Sequence, residues 1–155
     1  MKALLTASFL SLLFATACNS GSDAKSSEPQ QQSAVQKDEP AITGTHWKLV
    51  TLEGQPEKKA ENQEQDRYFT LDTADKTVSG FAGCNSILGS YALEDGMRIR
   101  FSNMGLTMRA CPDVAVDEQA FMEVFAQADN YTITNGTLSL NVGRRAPLAV
   151  FEVAK

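Results

Sequence analysis

Three cysteines, Cys18, Cys84 and Cys111, and one histidine, His46, are the residues of this 155-residue chain best suited to chemistry. A nucleophilic thiolate needs a nearby base or cation, and a redox pair is usually spaced C-x-x-C. Cys84 and Cys111 are far apart in sequence, and His46 is remote from both. A structural zinc site takes four ligands, mostly Cys and His, so no metal and no cofactor is expected. Three readings remain open for Cys84 and Cys111: a disulfide, two separate buried thiols, or a redox or nucleophilic pair. A bridge closing a loop of this size would stabilise the fold by roughly 3–4 kcal/mol in the chain-entropy model. Asp113, Asp117 and Glu118 could form a carboxylate cluster, but at the start of a helix they simply complement its dipole. The stretch around Gly80, Gly83 and Gly89 lacks the lysine of a phosphate loop and the G-x-G-x-x-G spacing. No catalytic residue is assigned, and the chain is not expected to be an enzyme.

Cys18 belongs to a different segment. Lys2 supplies a positive start, Ala3 to Phe14 an apolar run, and Ala15-Thr16-Ala17 small residues just before Cys18. The run is shorter than the roughly 20 apolar residues that span a bilayer. Charge, short apolar core and small cleavage site make a signal peptide over 1–17. With cysteine next, the segment resembles a bacterial lipoprotein lipobox. That resemblance implies cleavage before Cys18 and its acylation, and several acyl chains give stable anchoring. Asn19, rather than Asp, points to the outer membrane, facing the periplasm.

Residues 18–42 are rich in Ser, Gln, Glu, Lys, Asp and Pro, with almost no large apolar side chain. Such a stretch cannot bury enough surface to offset its ordering entropy. It reads as a flexible linker behind the anchor. The folded domain is expected over 43–155. The formal net charge of -5 and the absence of a Lys/Arg cluster exclude nucleic acid. Losing Lys2 with the signal makes the mature chain more negative still.

The elements that must position Cys84 and Cys111 follow from periodicity. Trp47 to Leu52 alternates as a strand, with Trp47, Leu49 and Thr51 on one face. Tyr68–Asp72 and Thr77–Phe81 form a second and third. Ser90–Leu93 leads through Glu94-Asp95-Gly96, a hairpin turn, to Met97–Phe101, where Met97, Ile99 and Phe101 face the core. Val116, Ala120, Phe121, Val124, Phe125 and Ala128 make one helical stripe, capped by Asp113 or Asp117. Asn135-Gly136 joins two alternating strands in a tight primed turn, and Leu148–Val153 is the last strand. Without regular strand–helix alternation, the fold class is mainly β (α+β): a curved antiparallel sheet or partly closed barrel with one packed α-helix.

Two motifs remain. One runs Ser79-Gly80-Phe81-Ala82-Gly83-Cys84-Asn85, with Gly89 and Tyr91 beyond it; the other runs Thr107-Met108-Arg109-Ala110-Cys111-Pro112. Together, ahead of an acidic helix, they resemble the META/HslJ-like domain. The resemblance implies a small envelope domain, often on a lipoprotein, with lipocalin-like antiparallel topology and a packed helix. It also implies links to heat shock and drug resistance, and to secretion or motility, and it carries no established catalytic residue. Physically, Gly80, Gly83 and Gly89 point to a bulge, a sharp turn or close strand approach. Asn85 is expected to hydrogen-bond local backbone, and His46 to be a surface strand residue.

The expected function is that of a non-catalytic envelope lipoprotein in stress or drug tolerance and envelope maintenance. It is expected to be a monomer, held to the membrane by its lipid, with an unidentified protein or small-molecule partner. The alternative is a small β-barrel binding module that carries a small ligand or inhibits a basic hydrolase such as lysozyme, for which an acidic domain is suited.

Overall fold

The computed structural model describes residues 39–155. The expected signal peptide over 1–17, the anchor Cys18 and the linker as far as residue 38 lie outside the described residues. Nine strands and one helix follow in chain order: β1 (Trp47–Leu52), β2 (Gln55–Pro56), β3 (Tyr68–Leu71), β4 (Thr77–Phe81), β5 (Ser86–Glu94), β6 (Arg98–Leu106), α1 (Glu118–Gln127), β7 (Asn130–Thr134), β8 (Thr137–Asn141) and β9 (Ala149–Val153).

Every strand pairing is antiparallel, and from β3 to β9 each strand pairs with the next in sequence. β1 pairs with both β3 and β9, and that second pairing closes the sheet on itself. β2 only extends β1 as a two-residue hairpin arm. The result is a closed eight-stranded antiparallel barrel with one short helix. Closure pairs β1 with β9, the strands that would otherwise end the sheet.

Alternation places one set of side chains inside. Trp47, Phe69, Leu71, Val78, Leu138, Leu140 and Phe151 are fully buried, and Phe121 and Phe125 of α1 join them. Phe69 packs edge-on against Phe151 at 4.9 Å and against Phe125 at 5.4 Å between ring centroids, an arrangement that suits the aromatic quadrupole. The predicted apolar stripe of α1 therefore fills the interior. Asp117 caps the helix, its carboxylate accepting the Ala120 N–H at 2.9 Å. The Asn135-Gly136 turn has φ of 53° and 76°, the primed geometry that its sequence predicts.

Several expectations are corrected. Ile42 is buried in the core, and its carbonyl accepts the Trp47 indole N–H at 2.9 Å. Glu39 accepts the backbone N–H groups of Asn135 at 2.7 Å and Gly136 at 2.9 Å. The folded chain thus begins before residue 43. The register of β1 against β9 shifts between Leu49 and Thr51. This bulge reverses the alternation, so Leu52 packs against the core in place of Thr51. Met97 is exposed with φ of 60°: it belongs to the hairpin turn with Gly96, and β6 begins one residue later. The strand expected over Ser90–Leu93 starts at Ser86, so part of the Gly-rich stretch is strand.

Candidate functional site

The two motifs meet where the β4–β5 turn, the segment after β6 and the first turn of α1 come together. Cys84 and Cys111 are joined by a disulfide, with their Cα atoms 6.0 Å apart. The bridge closes the sequence between them and leaves neither sulfur as a free thiolate.

Beside it lies a polar clamp that local sequence reasoning missed. One Glu118 oxygen accepts the backbone N–H groups of Cys84 at 3.0 Å and Asn85 at 2.6 Å. The other accepts the Asn85 side-chain amide at 2.7 Å. Burial by itself would raise the Glu118 pKa. The Asn85 amide, the two backbone donors and the charge of Arg67 outweigh it and hold the carboxyl below its usual range. Glu118 is therefore an anion seated in a backbone cradle, beyond the general dipole role expected of it.

Asn85 faces both ways. Its carbonyl oxygen accepts the Arg109 backbone N–H at 2.6 Å and the Thr107 hydroxyl at 3.0 Å. The Thr107 oxygen in turn accepts the Ser86 N–H at 3.0 Å. The expectation that Asn85 would bind local backbone is thus corrected: its acceptor reaches the second motif and its donor reaches the helix. A single buried amide knits three segments.

Arg67 secures the other side of the helix start and is buried. Its Nε donates to Glu57 at 2.8 Å, a second nitrogen donates to the other Glu57 oxygen, and a third reaches the Asp117 carbonyl at 3.1 Å. Its guanidinium lies 5.3 Å from the centroid of the Phe121 ring. Arg67 and Glu57 sit in stretches with no periodic signal, and their partners are 10 to 50 residues away. Among the charged side chains of this network, Glu118 alone carried a local cue, as a helix-start acid.

The three glycines realise the three expected backbone devices separately. At Gly80 the Tyr68 carbonyl and the Phe69 backbone approach so closely that a Cβ has no room. Gly83 turns the chain at φ of 122°, with Val116 methyls 2.8 Å and 2.9 Å from where a Cβ would sit. Gly89 lies at the register shift of β5 on β6. Ser79 is an exposed β4 residue paired with Thr70. Tyr91 is buried, and its hydroxyl donates to the Asp72 carbonyl at 2.9 Å; burial pushes its pKa up. Gly80, Gly89 and Tyr91 thus shape the barrel, whereas Gly83, Cys84, Asn85, Thr107 and Cys111 gather at the clamp. Exposed Pro112 lines a cleft of about 220 Å³ beside the disulfide, facing Arg109 and Glu64. His46 is exposed just ahead of β1, its ring stacked on Tyr68 at 3.9 Å.

The model of the META domain matches residues 40–155 of the chain. The NMR structure of a protein from Burkholderia xenovorans superimposes with a TM-score of 0.57 at 25% identity, over 73% of this chain and 83% of that one. No curated protein matches the chain.

Proposed function

The chain belongs to the META domain family, and on that footing we propose that it is a non-catalytic cell-envelope lipoprotein. In this reading Cys18 carries the lipid, residues 19–38 span from membrane to domain, and the domain faces the periplasm from the outer membrane as a monomer. It serves envelope maintenance under stress or drug challenge, as the family resemblance suggests.

The observation that carries this reading is the Cys84–Cys111 bridge inside the motif. Disulfides persist in the periplasm and are reduced in the cytosol, which agrees with a secretion signal ahead of Cys18. The polar groups around the bridge are engaged with one another: Glu118 with three donors, Asn85 with both motifs. Such a network supports a scaffold role over a reactive one. The barrel interior is filled by aromatic rings, so a partner meets the domain from outside.

Two measurements test the proposal. Acyl labelling of the wild type and of Cys18→Ser locates the anchor: label and membrane association should both vanish in the variant. Deleting the gene and scoring envelope stress and drug sensitivity tests the role, and a wild-type response in every condition would count against it. Incubating the protein with lysozyme separates the inhibitor reading; this proposal expects undiminished lysozyme activity.

A further inference from the structure

The barrel has one weakly paired seam. β6 pairs with β5 along its length, but with β7 only at Arg98 and Asn130. Being antiparallel, β7 then runs back past the start of β6 beside the hairpin turn, where Tyr131 donates to the Met97 carbonyl, and α1 flanks the remainder of β6. Two bonds fix which backbone groups face the seam. Ile99 donates to the Asp129 carbonyl, on the β7 side, whereas Thr107 donates to Ser86, on the β5 side. Alternation from Thr107, on the far side of the bulge, directs the Leu106 and Met104 backbone away from β5, to the side where no strand pairs with them among the described residues.

That stretch borders a cleft of about 300 Å³ between β6 and the outer flank of α1. Its apolar lining comes from Met104, Leu106, Met122 and Ala126, and its carboxylate is Glu123. Glu123 accepts hydrogen bonds from Gln119 and Gln127 but has no ion-pair partner among the described residues. Methionine side chains adapt to varied apolar partners.

We propose that the β6 edge beside α1 is a docking site for an extended peptide segment that adds as a strand, bearing apolar residues and one basic residue. The backbone edge selects an occupant that presents its own N–H and C=O groups, the methionines take its apolar side chains, and the unpaired Glu123 charge selects the base. The proposal does not depend on the lipid anchor or on the stress role.

Titrating the isotope-labelled protein with a short peptide of alternating valine and threonine carrying one lysine tests this by NMR. Shifts should concentrate at Met104–Leu106 and Gln119–Ala126. The amides of Met104 and Leu106 should gain protection from hydrogen exchange. A version N-methylated at alternate peptide nitrogens should bind about tenfold more weakly, because the ladder bonds are lost. Glu123→Lys, at an exposed position, should weaken the lysine peptide several-fold and favour its glutamate counterpart. Shifts located elsewhere, or no shift at millimolar peptide, would overturn the proposal. Equal binding of the N-methylated peptide would overturn strand addition. Concentration-dependent self-association through the same amides would show a second copy as the occupant and refute the peptide assignment.

Discussion

Glu118 grips Asn85 twice, accepting its backbone N–H at 2.6 Å and its side-chain amide at 2.7 Å across a sequence separation of 33. This contact joins the first turn of α1 to the turn between β4 and β5. The Asn85 carbonyl oxygen continues the link to Thr107 and Arg109. One ion and one amide therefore hold together the parts that the disulfide joins covalently.

Glu118→Gln should destabilise the protein by about 1.5–3 kcal/mol, the range for hydrogen bonds to a charged group. An amide can still accept from the backbone, but its NH₂ meets the Asn85 NH₂. The folded pKa of Glu118 lies below its ordinary value. Its stabilisation is therefore complete above the unfolded carboxylate pKa and lost as pH falls through the folded one. Denaturant unfolding across pH should show wild type and variant separated at neutrality and converging in acid. A gap independent of pH would rule out the ionic clamp.

Asn85→Asp should show the opposite pH trend. The substitution sets a second carboxylate against Glu118 where an amide donated at 2.7 Å. Two carboxylates at that distance share a proton, and the apparent upper pKa of the pair rises. A raised folded pKa gives stability that is present at low pH and disappears as pH rises through it. The variant should be severely destabilised at neutral pH and recover toward acid, measured by thermal melting. A variant that melts like wild type at neutrality would mean that the amide is dispensable.

The bridge makes a contribution of its own. Replacing Cys84 and Cys111 by alanine together, or reducing the protein, should cost roughly 3–4 kcal/mol in the chain-entropy model for the closed loop, here spanning a separation of 27 residues. The hydrogen bonds of the clamp do not run through the sulfurs, so the reduced barrel should keep its far-ultraviolet signature while its denaturation midpoint falls. Unchanged unfolding with and without reductant would remove the bridge from the list of stabilising features.

Much of this barrel was legible because it obeys local rules. Asn135-Gly136 announced its hairpin, the Phe121–Val124–Phe125 stripe announced its buried face, and Gly80, Gly83 and Gly89 each signalled a backbone constraint. The misplacements arose where one residue breaks the alternation. The bulge at Val50 exchanged the roles of Thr51 and Leu52, and the positive φ of Met97 carried that side chain out into the turn. The clamp was less legible for a different reason. Glu118, Asn85, Arg67 and Glu57 meet only where the start of α1 packs against the β4–β5 turn and the chain ahead of β3, and no spacing rule connects positions so far apart.

The Arg67–Glu57 pair gives a final test of how the helix start is held. The pair is largely buried, so removing one member strands a charge away from water. Arg67→Met should cost about 3–5 kcal/mol, as breaking a buried ion pair does. Arg67→Met combined with Glu57→Leu replaces both charges by apolar groups and should recover most of that loss. The Asp117 carbonyl still lacks the donor it takes from Arg67 at 3.1 Å, so recovery should be incomplete. Urea unfolding of the two single variants and the double variant measures the coupling directly. A double variant as unstable as the sum of the singles would show that the two side chains do not act as a pair. The Arg67 contacts to Phe121 and to the helix cap would then account for its whole effect.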